Sequence, residues 1–309
     1  MDSKKEVKRL LKSLKKDFGD WHVQPYIAGP YFKQANERLT SYAQDGNPET
    51  LVDLEVQRLL TWYLTYYESK AIGSGEHAID DLAMTAKHAL WEVLFSEPLA
   101  RQNRGGSVLK DHAAFCFSLQ LICGWKRRAL AVGNALIEGL DTPLLDLRIN
   151  DRHDAGSLYP HFWFLMHLFR SANGQAPIDT ALYSYPESMA PYDQVLADWR
   201  TTDLPKVQQF VVQMAEHHVQ KTADSDPDSV NEFDDPDYQL FPYEILAFLR
   251  LREWMGLANP SEFDHPLMQQ PLAFLPPTAP LADPPTPLLD QVIARYRQEF
   301  PDLRVPDGV

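Results

Sequence analysis

The chain has 309 residues, 44% of them apolar and 23% charged, with a net charge of −14. A chain of this length buries roughly three quarters of its unfolded surface, so it needs neither a disulfide nor a structural metal to build a core. No apolar run approaches the roughly 18 residues of a membrane span. Residues 1–18 hold seven Lys and Arg against three Asp and Glu, which leaves 22 against 40 in residues 19–309, a net of −18. Such a body repels nucleic acid and attracts basic partners, and any direct contact with DNA or RNA is confined to the basic start.

The first nine residues are charged and lead into no apolar stretch of the kind that opens a secretory signal, which places the expected protein in the cytoplasm. Ser3 can cap a helix with Val7, Leu10, Leu11, Leu14 and Phe18 on one face and lysines on the other. That basic face is expected in solvent or against the acidic body. Gly29-Pro30 opens a second helix ending near Gly46, and Asn47-Pro48-Glu49 reads as the cap and acidic first turn of a third that runs to Gly73. Glu76 to Phe95 reads as a fourth, stopped by Pro98, followed by a turn over residues 102–107. Residues 108–140 are mostly helical and strongly apolar, with Gly124 and Gly133 marking bends or close packing. Cys116 and Cys123 lie on this pattern without a C-x-x-C, which points to reduced core side chains rather than a disulfide or a metal.

A connection over residues 149–156 marks the expected boundary between an N-terminal helical domain (1–150) and a C-terminal one (151–309). Pro160 starts a helix through Phe169. A short helix from Pro191 to Trp199 and a longer one capped by Asp203 form an αα-hairpin. Residues 240–257 carry the clearest helix of the second half, with Pro242 in its first turn and Gly256 at its stop. Phe241, Ile245, Phe248, Leu249, Leu251 and Met255 fill one arc of that helix and Arg250 and Glu253 the opposite side, while Glu244 and Arg252, near the arc, are expected to pair with neighbouring helices. Nine prolines between Pro260 and Pro287 predict a segment wrapped over the surface in extended form, and Leu288 to Phe300 a last helix. The fold class is therefore all-α, a multi-helix bundle with αα-hairpins and a proline-rich extended segment near the C-terminus.

Chemistry-bearing motifs are sparse. No serine elbow, dinucleotide fingerprint or kinase-like pattern is present. His153-Asp154 invites comparison with His-Asp metal-dependent phosphohydrolases, but His88, His112, Asp193 and Asp198 could join it only without spacing support, and a loop pair is the preferred reading. Residues 224–235 place acids at calcium-loop positions but put Ser229 where the sharp turn demands glycine. That leaves a solvated linker, or a negative surface for a basic protein presented by Asp224, Asp226, Asp228, Glu232, Asp234, Asp235 and Asp237.

Phe241-Pro242-Tyr243-Glu244-Ile245-Leu246, Arg252-Glu253-Trp254-Met255-Gly256-Leu257, Asp264-His265-Pro266-Leu267 and the proline run behind them resemble helical immunity proteins of bacterial polymorphic and type VI-secreted toxins, the PoNe-immunity-like family among them. The preceding hairpin, with Leu196-Ala197-Asp198-Trp199, belongs to the same likeness, which covers mainly residues 190–290. The resemblance implies a non-enzymatic cytoplasmic inhibitor without metal or cofactor that binds a cognate toxin. The acidity suits a basic toxin such as a nuclease. A helical scaffold is the alternative reading, and a His-Asp phosphohydrolase a more distant one.

Overall fold

A computed structural model describes residues 2–21, 30–47, 49–145, 159–223, 232–233 and 235–305. Among them are eleven α-helices and no strand: α1 Ser3–Trp21, α2 Pro30–Asp45, α3 Val52–Ser74, α4 Ile79–Arg101, α5 Lys110–Ile122, α6 Lys126–Glu138, α7 Pro160–Ala172, α8 Tyr192–Asp198, α9 Leu204–Ala223, α10 Tyr243–Trp254 and α11 Pro287–Glu299. The expected all-α class holds.

α3 and α4, joined by four residues, lie side by side along much of their length, and α2 packs on α3. α4 carries α5 and α6 on its other side, and α5 in turn supports α7 and α10. α1 lies on α3 and α9 with Val7, Leu10 and Leu14 inward, while Lys4, Lys5, Lys8, Lys12, Lys15 and Lys16 stand in solvent. One apolar core runs from Val7 in α1 to Phe300 after α11. The boundary expected at 149–156 lies outside the described residues, and the core on its two sides is continuous.

Several local expectations need correction. Pro98 sits inside α4, which continues to Arg101. A proline there forfeits a helical hydrogen bond, a cost of about 3 kcal/mol that burial of Pro98, Leu99 and Ala100 offsets. α3 begins at Val52 rather than at Pro48, and Asn47 instead makes a local turn in which its side chain accepts from the Glu49 N–H at 3.1 Å. The long apolar segment is two helices broken at Cys123–Trp125. There Gly124 adopts φ +75° and passes the backbone of Pro280 so closely that a Cβ would lie 3.0 Å from it. Gly133 lets the Phe169 ring sit against α6, 2.7 Å from where a Cβ would stand.

α10 is buried on all sides rather than along one arc. Ile245, Leu246, Phe248 and Leu249 are inside, each worth about 1.5–3 kcal/mol of apolar burial, and so are Glu244, Arg250 and Arg252. Arg250, expected on the solvent side, donates to the carbonyls of Ile122 (3.1 Å) and Pro276 (2.5 Å) and pairs with Glu253. Met255 is the exposed end of the expected arc. Arg252 donates to the carbonyls of Trp199, Thr201 and Ala258 and to the Asn259 side chain. Glu244 pairs with His218 of α9 at 2.9 Å, a partner on a neighbouring helix as expected.

The proline-rich segment straps the two halves together. Leu281 donates its N–H to the Cys123 carbonyl and accepts from Trp125 Nε1, and Lys87 of α4 reaches the Pro284 carbonyl at 2.9 Å and Asp283 at 3.1 Å. Leu267 and Leu272, in short 3₁₀ turns, are fully buried. α11 then closes on α2, with Tyr296 donating to the Phe95 carbonyl and Tyr42 to Glu299.

Candidate partner-binding surface

The acidic loop leaves α9 at Ala223, and its residues Asp224, Asp226, Asp228 and Asp234 lie outside the described residues. Its far end is anchored in the protein. Glu232, expected on the surface, is buried: one carboxylate oxygen accepts from His161 Nδ1 at 3.2 Å and from the His161 backbone N–H at 3.4 Å, and the other meets His217 Nε2 at 2.5 Å. That backbone N–H belongs to the first turn of α7, whose free donors and positive dipole end favour an anion. Burial alone would raise the Glu232 carboxyl, but the hydrogen bonds and charges of the two histidines prevail and hold it far below the usual carboxylate range. Glu232 is a structural anchor and is removed from the expected surface.

Phe233 stacks on His218, with ring centres 3.9 Å apart. His218 Nε2 donates to the Tyr238 carbonyl at 3.0 Å, and its Nδ1 lies 2.9 Å from a Glu244 carboxylate oxygen. Asp235 is exposed, and its side chain accepts from the Asp237 N–H at 2.9 Å. Asp237 is partly buried, and burial, then the nearby Asp235 charge, push its carboxyl up to about 7. The same two aspartates, after burial, raise Glu68 of α3, a fully buried residue the sequence does not connect to this loop. Of the seven expected acids, Asp235 and Asp237 are thus brought together and gain Glu68.

A second acidic feature lies on the other side of α10. An open groove of about 780 Å³ runs between that helix and residues 259–275. Glu253, Glu262, Asp264, Phe263 and Phe274 line it, and its lining contains no lysine or arginine. Glu262 and Asp264 are exposed and make no ion pair among the described residues. With its amide oriented to satisfy both neighbours, Gln208 bridges them, donating to the Glu262 carbonyl at 2.9 Å and accepting from the Asp264 N–H at 2.7 Å. Arg250 and Arg252 hold the floor rigid from within, their guanidinium groups spent largely on backbone carbonyls. The groove is therefore apolar below and negative at its rim. Glu262 and Asp264, two residues apart in the sequence, give no motif there, and only the turns between Asn259 and Leu275 set them facing Glu253 of α10 across the groove.

Of the residues considered for phosphohydrolase chemistry, His88, Asp193 and Asp198 are each held in separate local contacts. His153 and Asp154 lie outside the described residues. His88 is buried, donates Nδ1–H to the Met84 carbonyl and is pushed down to about 4 by burial. Asp198 pairs with Lys206 at 2.7 Å, and Asp193 accepts from the neighbouring Gln194 N–H. No helix among the described residues is long and apolar enough to cross a membrane. Compared with known protein families, with curated proteins and with solved structures, the chain matches none.

Proposed function

We propose that this chain is a non-enzymatic immunity protein that neutralises a basic antibacterial toxin, such as a nuclease, by occupying it. The observation that carries the reading is the distribution of charge: a chain of net charge −14 with an open groove, between α10 and residues 259–275, that has an acidic rim and no lysine or arginine in its lining. A protein built to hold phosphates is positively charged and is steered onto such a surface, raising its association rate. The half-buried Phe263 and Phe274 in the groove supply apolar area beneath the charges, and the exposed Asp235 adds charge of the same sign elsewhere. The sequence resemblance to toxin immunity proteins points the same way.

The test is co-expression with the product of the neighbouring reading frame. Protection of the cells and a complex that co-purifies at low salt are the expected results; the absence of both refutes the proposal. A helical scaffold would share the packing but would capture host proteins and leave the toxin active.

A further inference from the structure

α5 places His112 and Cys116 four residues apart, hence on one helical face, and α4 brings Glu92 against them. His112 Nε2 lies 2.9 Å from both Glu92 carboxylate oxygens, and Cys116 Sγ is 4.0 Å from Oε2. One donor atom from each of the three residues falls within 4.8 Å of the other two. On the far side of the imidazole, Nδ1 is 2.6 Å from the Tyr238 hydroxyl. The two cysteines read from the sequence as core packing; Glu92, twenty residues before His112, is the member that only the tertiary fold supplies.

We infer that Glu92, His112 and Cys116 form a zinc-binding site, with a fourth position left to water. Thiolate, imidazole and carboxylate together are the donors zinc takes, at about 2.3 Å for sulfur and about 2.1 Å for nitrogen and oxygen. Tetrahedral geometry at those lengths sets N···O near about 3.4 Å and S···O near about 3.6 Å. The separations in the fold are within roughly half an ångström of both, a shift that side-chain rotation absorbs. Tyr238 supplies the outer contact that metal-bound histidines usually have: with Nδ1–H given to its hydroxyl, the Nε2 lone pair points at the ion. The surroundings also favour a cation. The Glu92 carboxylate is buried beside Cys116, so a bound cation supplies the counter-charge that water does not. The His112 side chain keeps 13% of its surface exposed, which gives the ion a way in. This site does not depend on the partner-binding reading.

The experiment is a titration of the untagged full chain, stripped with a chelator and then equilibrated with zinc or cobalt(II). One metal per chain, a rise in unfolding temperature on adding zinc, and a sulfur-to-cobalt charge-transfer band are expected. Cys116→Ser should abolish that band, and Glu92→Gln should weaken binding at least about 10-fold. A native chain that takes up no metal and shows no such band overturns the inference, as do folded variants that bind as tightly as the native chain. Should Cys116→Ser fail to fold, the cobalt spectrum of the native chain decides alone.

Discussion

At Glu232 a carboxylate is held inside the fold by two imidazoles and the first turn of α7. Removing one member of such a set strands the others, at a cost of about 3–5 kcal/mol. Glu232→Ala should therefore lower the unfolding free energy in urea by about 3 kcal/mol or more, whereas Glu262→Ala, at an exposed site with no ion pair among the described residues, should stay within about 0.5 kcal/mol. Acidity separates two other residues. His88 is held down to about 4 in the fold, against about 6.5 for an unperturbed imidazole. The unfolded chain thus binds its proton first, and stability falls as pH drops through that interval. His88→Gln should flatten this limb in unfolding temperatures measured against pH. Asp237 has the opposite sign. Its carboxyl, pushed up to about 7, keeps a proton that the unfolded chain has already lost, so its contribution fades as pH rises towards that value. Asp237→Asn should accordingly stabilise the protein at pH ~8 and change little at pH ~4.

Among the elements, α10 shows what sequence periodicity can and cannot carry. Its limits and the left-handed glycine after it are legible, because helix ends are set by local signals, whereas the single arc that the spacing suggests is replaced by burial on every side. The burial of Arg250 is not legible, because its partner carbonyls are 128 and 26 residues away in the chain. On a helical wheel an arginine reads as solvent-facing. Arg250→Met should leave the Ile122 and Pro276 carbonyls without this donor, each costing about 1–3 kcal/mol; a loss of about 3 kcal/mol in thermal or urea unfolding is the expected result. The same locality explains the other differences. Pro98 is a stop signal that neighbouring burial overrides, and the groove and the Glu92–His112–Cys116 cluster need turns or helix pairings that no single stretch encodes. Gly133, by contrast, marks close packing that the sequence does suggest. Gly133→Leu should drive a side chain into the Phe169 ring and destabilise by about 1–3 kcal/mol.

For the molecule as a whole, the decisive quantity is the field it presents. If the proposed partner is captured by charge, reversing Glu262 and Asp264 together to lysine should slow association about 10-fold or more while leaving the unfolding temperature unchanged, since both are exposed. Stopped-flow association at rising salt should show the native rate falling towards that of the double variant as screening shortens the range of the field. The closure of α11 on α2 carries a separate consequence. Tyr42 and Glu299, which meet there, are 257 positions apart. During synthesis α2 must wait for its cover until nearly the whole intervening polypeptide has emerged, a long-range pairing of the kind that slows folding and leaves sticky intermediates. Ribosomes that abandon the message anywhere in that interval would release fragments with an uncovered seam, fit for proteases or chaperones.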